Sequence, residues 1–326
     1  MKSWFSGDYQ HQEEKYLNES FGFRNTCIRI HNQLAYSLFQ KAKANSVLVG
    51  KKHFLFEGNY LDAYYGNDFA GTDSMRHRLQ RVKFLQDSLA KMNKTVVLVV
   101  AADRGSFYPE YFPDRYRQTK KTTNYEVFVQ LAKEMGITYI DFNRYFLQQK
   151  GKSPYPLFPQ YGTHWSEYSA CLVADSIIRF VENARHIDMP HLFWEKVELR
   201  QPQGSDYDIA DGMNILCQLK SFDMAYPVVQ FESDSSKSKP SILVIADSFY
   251  WSVYNSGISN GFSVSHFWYY NQQVYPESYQ SSVMVNQLDL EEQIAQHDVI
   301  LILGANGSLP YLGWDFIENA CRIYNH

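Results

Sequence analysis

The chain has 326 residues, 45% of them apolar and 20% charged, with a formal net charge of −4. That composition fits a globular protein with room for one large domain and excludes a disordered chain. The near balance of charge gives no case for nucleic acid as a partner, and no window of about 20 apolar residues is present to span a membrane.

Four cysteines, Cys27, Cys171, Cys217 and Cys321, show no C-x-x-C spacing, so neither a zinc site nor a disulfide scaffold is expected. No metal is expected, since His186 and His191 in "HIDMPH" lack the further ligands that would complete a set. No cofactor is expected either, because neither G-x-G-x-x-G nor a P-loop appears. Aromatic residues are abundant, with 25 Tyr, 22 Phe and 6 Trp, which suits core filling or a groove that stacks on sugar rings.

Residues 1–45 read as a helical segment, with Phe21, Ile28, Leu34 and Leu38 near one face. Residues 46–326 read as one α/β domain. It opens with a hairpin whose apolar runs, Val47 to Val49 and Phe54 to Phe56, flank Gly-Lys-Lys-His. The stretch "MRHRLQRVKFLQDSLAKMNK" then places Leu79, Val82, Leu85, Leu89 and Met92 at helical spacing. "TVVLVVAAD" is an unbroken apolar strand of the kind covered on both faces. A helix ending at Gly136 and the strand "ITYIDF" follow. Ser166 is the expected N-cap of a helix over "SEYSACLVADSIIRFVENA". Residues 185–238, interrupted by Pro and Gly, read as an irregular insertion. Three more strands, "PSILVIADS", "SVSHFWYY" and "HDVILILGANG", precede a last helix from about Trp314.

Strands alternating with helices predict a mainly parallel sheet covered on both faces. Ligands of such sheets bind beyond the carboxyl ends of the strands. Asp103-Arg104, Asp247-Ser248, the loop after Tyr270 and Asn306-Gly307 are therefore expected around one crevice.

Ser248 is the focus, since it ends an apolar run just where a helix begins. It is either a helix cap or a nucleophile whose backbone N–H sits where an oxyanion would be stabilised. A serine nucleophile needs a base. His164, in "QYGTHWSEYSA", lies in a short polar turn rather than an apolar stripe and is the best-placed candidate.

"GTHWS" before a helix, followed later by a strand ending in "ADSF", resembles the paired motifs of the SGNH hydrolase-like domain of the alginate O-acetyltransferase family. "SVLVGKKHFLFEGNYLDAYYG", "VLVVAADRGSFYPEYFPDRY", "SDYDIADGMNIL" and "LGWDFIENA" also look like segments of that family, in the same order. The resemblance implies a flavodoxin-like three-layer α/β sandwich in which the His motif precedes the Ser motif. It implies acetyl transfer to or from hydroxyls of an extracytoplasmic polysaccharide. The acyl donor would be relayed by a membrane-bound O-acyltransferase. The location would be periplasmic, reached through an anchor or signal segment absent from this chain. By motif, Ser248 would be the nucleophile, His164 the base, and Tyr254 a tyrosine near the site. Arg104 takes the position of a basic residue before "YPE".

The family pattern is D-x-H-W, and Gly162 stands here where the aspartate would orient the histidine. Three readings stay open. Another acid, Asp103 or Asp141, substitutes; a backbone carbonyl orients the ring; or the domain is a glycan-binding or assembly subunit without turnover. For the oxyanion, Asn271 and Arg104 are the candidate second donors. Trp165, Tyr254, Trp268 and Tyr270 are the candidates to stack on sugar, with core packing the plainer reading for Trp268.

Overall fold

The computed structural model describes residues 2–20 and 22–325, so Phe21 lies outside the described residues. Among the described residues ten strands form: β1 (Val47–Val49), β2 (Leu55–Glu57), β3 (Thr95–Ala101), β4 (Tyr139–Asp141), β5 (Leu192–Arg200), β6 (Met224–Phe231), β7 (Ile242–Ala246), β8 (Ser265–Tyr269), β9 (Gln273–Tyr275) and β10 (Val299–Ala305). Six of them make the central sheet in the order β4-β3-β10-β7-β8-β9. All neighbours in it are parallel except β8 and β9.

Covering on both faces explains why these strands are unbroken apolar runs. Side chains alternate along a strand, so each strand supplies both layers. Val97, Val99, Leu301 and Val244 pack with Ala170, Val173 and Ile177 of the helix Glu167–Arg185. Their neighbours Val96, Leu98, Ile300 and Ile245 pack on the other side with Leu79 and Leu85 of the helix Thr72–Ala90, Phe128 of Asn124–Glu134 and Phe316 of Phe316–Tyr324. Most of these side chains have lost essentially all contact with water, at about 1.5–3 kcal/mol each. The result is the three-layer α/β sandwich with a mainly parallel sheet. Met92 falls just beyond its helix and is exposed.

Two small antiparallel ribbons flank the sandwich. The first is the expected hairpin, β1 with β2. The second corrects the reading of residues 185–238 as irregular, because β5 and β6 pair over most of their length. Their burial alternates poorly, which is why the period-2 signal is weak.

The helix Arg24–Phe39 presents Leu34 and Leu38 to solvent, buries Tyr36 against Val49 and Leu55, and adds polar contacts to the rest of the molecule. Arg29 Nε donates to the Ile215 carbonyl at 3.0 Å, and Asn32 Nδ2 to the Met213 carbonyl at 3.1 Å. Among the described residues, no helix is long and apolar enough to cross a membrane.

Candidate active site

The carboxyl end of β7 turns sharply. Asp247 is buried, and its carboxylate ties the turn to the neighbouring strand end. Oδ1 accepts from Phe249 N–H at 3.0 Å; Oδ2 accepts from Ala305 N–H and the Ser308 hydroxyl, each at 2.8 Å. Burial raises its pKa against these three donors. The helix that follows, Tyr250–Asn255, has Phe249 as N-cap and no side-chain cap bond. Ser248 is therefore not spent as a cap. Its Oγ lies 2.9 Å from Nε2 of His164, which is 84 positions earlier in the chain.

His164 occupies the turn before Ser166, which caps the helix Glu167–Arg185 as expected. Its ring packs edge-on to Phe249, with centroids 4.9 Å apart. Its Nδ1 lies 2.8 Å from Oδ2 of Asp208. The other oxygen of that carboxylate accepts the Thr163 N–H at 2.8 Å, so one acid holds both the ring and its backbone. A hydroxyl, an imidazole and a carboxylate in this order form the chain in which the ring takes a proton from the hydroxyl while the acid fixes its tautomer.

Neither Asp103 nor Asp141 is the acid behind the ring. Asp103 is an N-cap, accepting from Ser106 N–H at 2.8 Å, and burial pushes it up to about 6. Asp141 caps the helix Phe142–Gln149 through Arg144 N–H and also accepts the Tyr125 hydroxyl, both at 2.9 Å. Asp208 sits in the 185–238 insertion and was missed because that stretch reads as a connection. The signal was its three carboxylates, Asp206, Asp208 and Asp211, inside a segment that resembles the family.

Gly162 explains the exchange. A Cβ there would meet the Ser205 carbonyl oxygen and stand 2.8 Å from the Asp206 carbonyl carbon. The strand of chain that carries Asp208 runs where an aspartate side chain on residue 162 would need to be.

Arg104 does not reach the cleft. Its guanidinium is fully buried and donates to the carbonyls of Pro159 (2.6 Å), Gln160 (2.5 Å) and Gly162. It holds the loop that presents His164. Burial lowers its pKa to about 10, opposed by Tyr108, Asp208 and Glu57. Trp165 is also fully buried, and its Nε1–H donates to Ser252 Oγ at 2.6 Å. That bond fastens the His164 loop to the helix after Ser248. Trp268 is core, edge-on to Phe316. Tyr254 packs in a cluster with Trp251 and Phe267 and does not line the cleft at Ser248.

Tyr270 does line it. It stands at the end of β8 with φ 52°, followed by Asn271 with φ 54°. A bulky residue is rarely left-handed, and the turn is held in that shape. Asn271 Nδ2 donates to the Trp314 carbonyl at 2.7 Å, while the Trp314 ring packs edge-on to Tyr270. Asn271 thus anchors the turn and does not point its amide to the cleft. Burial, then the charge of Asp247, raises the Tyr270 pKa; the Ser248 hydroxyl and backbone N–H act against them. The phenol therefore stays protonated beside Ser248.

The cleft around Ser248 measures about 570 Å³. Glu57, Asn59 and Tyr60 line one side, with Ala44 and Asn45 from the chain just ahead of β1. Glu57 Oε2 accepts the Thr163 hydroxyl at 2.6 Å. Asn306, expected at the crevice, is buried beside Asn143 and donates to Ser106 Oγ at 2.9 Å. Among the described residues no group of three or more His, Cys, Asp or Glu is placed to hold a metal.

Residues 47–237 match the family model described as the SGNH hydrolase-like domain of the acetyltransferase AlgX, more than half of the chain. The chain belongs to this family. The matched stretch contains His164 and Asp208 and stops short of Ser248. The probable alginate O-acetylase AlgJ of Azotobacter vinelandii is 23% identical over 164 residues, 50% of this chain and 40% of that protein. The chain thus matches well under two thirds of that relative's length. The O-acetyltransferase domain of Pseudomonas putida AlgJ has the same fold, with a TM-score of 0.55 at 13% identity over 85% of this chain and 99% of that one. Bacillus cereus PatB1 with a sulfonyl adduct superposes at 0.53, 11% identical over 85% and 99%. Pseudomonas aeruginosa AlgX superposes at 0.50, 14% identical over 84% and 67%.

Proposed function

We propose that this chain is a serine-dependent O-acetyltransferase acting on hydroxyls of an extracytoplasmic polysaccharide. The observation that carries the reading is the unbroken line Ser248 Oγ, His164 Nε2, His164 Nδ1, Asp208 Oδ2, with both spans under 3 Å. Membership of an acetyltransferase family supports the group transferred.

In this reading Ser248 Oγ attacks the acetyl carbonyl as its proton passes to His164 Nε2. Asp208 stabilises the imidazolium that forms. The backbone N–H of Ser248 and the Tyr270 hydroxyl donate to the oxyanion. The intermediate collapses, the C–O bond to the donor breaks, and His164 returns the proton to the departing hydroxyl. A sugar hydroxyl then gives its proton to His164 and attacks the acetyl-serine carbonyl; the Oγ–C bond breaks and His164 passes that proton to Oγ, which regenerates Ser248. Water in place of the sugar gives esterase activity. A membrane-bound O-acyltransferase is the proposed supplier of acetyl groups, with the chain working in the periplasm.

Gly162 alone would favour a non-catalytic glycan-binding or assembly subunit; Asp208 behind the ring weighs against it. The experiment is p-nitrophenyl acetate turnover by the wild type and by Ser248→Ala, with a sulfonyl fluoride to label the nucleophile. Turnover that vanishes in Ser248→Ala, with the label mapping to Ser248, supports the reading. Equal rates in the two proteins overturn it.

A further inference from the structure

One relative is named as a probable alginate O-acetylase, and alginate is a polymer in which every sugar carries a carboxylate. A site for such a chain needs cations, because a carboxylate leaves water only for charge-assisted donors, of which the arginine fork is the best. The cleft at Ser248 offers the opposite. Among the described residues its lining contains two acidic side chains, Glu57 and Asp208, and no lysine or arginine. Arg104 is fully buried and occupied by three carbonyls of the His164 loop, so it offers the cleft no charge-assisted donor. The two lysines of the β1–β2 ribbon are engaged elsewhere, Lys51 with Asp114 at 2.6 Å and Lys52 over the Tyr111 ring, and Lys43, next to the lining residue Ala44, is exposed and does not line the cleft. The polar groups that remain are neutral: the amides of Asn45 and Asn59 and the hydroxyl of Tyr270. They suit hydroxyl groups, which both donate and accept.

We infer that the acetyl acceptor is an uncharged glycan, and that the carboxylates of the cleft reject polyuronates. This rests on the reading of Ser248 as the transferring residue. Glu57 is the discriminating group. It is fixed by the Thr163 hydroxyl next to His164, where an acceptor sugar would have to lie. A uronate there meets a like charge with no donor to offset it, and specificity of this kind comes from repulsion as much as from attraction.

The test uses binding, so that it stands apart from turnover. Ser248→Ala protein is titrated by calorimetry at low ionic strength with tetrasaccharides of glucose, mannose, xylose and galactose, and with those of mannuronate and guluronate. At least one neutral tetrasaccharide is expected to bind about tenfold tighter than either uronate, a difference of about 1.4 kcal/mol. Adding Glu57→Gln should narrow that ratio severalfold, and so should raised salt. A uronate that binds as tightly as the best neutral sugar, or a ratio that Glu57→Gln leaves unchanged, overturns the inference. Failure of the catalytic reading looks different: p-nitrophenyl acetate turnover would not depend on Ser248.

Discussion

Gly162 and Asp208 stand in for each other. The absence of a side chain at residue 162 makes room for the backbone at Ser205 and Asp206, and that backbone delivers the Asp208 carboxylate to within 2.8 Å of the His164 ring.

Asp208→Asn is expected to lower kcat for p-nitrophenyl acetate by about 10²–10⁴-fold with KM little changed, because an amide can favour the wrong tautomer of His164. Asp208→Glu should recover part of the loss. Asp141→Ala should leave turnover intact and cost about 1 kcal/mol of stability through its lost helix cap. Steady-state kinetics and urea denaturation of the three variants check this.

Restoring the family's aspartate should fail. Gly162→Asp, and even Gly162→Ala, places a Cβ against the Ser205 carbonyl. We expect about 1–3 kcal/mol of destabilisation, read by denaturation, together with reduced turnover as the Asp208 segment is pushed away. A Gly162→Asp protein that is more active than the wild type would contradict this geometry.

Tyr270→Phe removes one hydroxyl from the cleft and keeps the ring that packs on Trp314. If that hydroxyl donates to the oxyanion, kcat falls by about 10²–10³-fold. Thermal stability should barely change. Asn271→Ala frees the turn from the Trp314 carbonyl and should reduce kcat less while lowering stability more.

Asp206 gives a pH signature. It is buried with no hydrogen bond to either oxygen. Burial first pushes it up to about 8, with repulsion from Glu167 and Asp208 adding to it and the Tyr226 hydroxyl and the Glu167 backbone N–H opposing it. The folded protein keeps a proton here that the unfolded chain, with a pKa of 3.8, releases earlier. The contribution of Asp206 to stability therefore falls as pH rises from about 4 to about 8, by at most about 1.4 kcal/mol per pH unit. Asp206→Asn should be increasingly more stable than the wild type across that window, with the difference levelling above it. A melting-temperature series from pH 4 to pH 9 reads it, and a constant difference would exclude the shift.

The sandwich was legible because its strands are long apolar runs, buried on both faces, that no amphipathic element imitates. The meeting of Ser248 with His164 was legible because Ser248 ends an apolar strand and His164 sits in a polar turn just before a helix cap. Asp208 was not, since its role depends on a contact across 44 positions and on a void at Gly162 that only coordinates reveal. Arg104 and Trp165 misled for a related reason. Both are charged or amphipathic types beside the motifs, and both are used inward, to hold the His164 loop. Tyr270 was expected to stack on sugar; a left-handed backbone in a non-glycine residue, invisible in the sequence, brings its hydroxyl to Ser248.

The anchoring of Asp247 to Ala305 and Ser308 also sets a schedule for the nascent polypeptide. On the ribosome, the imidazole and its acid emerge first, then the hydroxyl, then the last strand that clamps the hydroxyl's turn. The turn that carries Ser248 is therefore braced only once β10 has been made, and a chain cut before β10 would carry Ser248, His164 and Asp208 yet lack the brace that sets that turn.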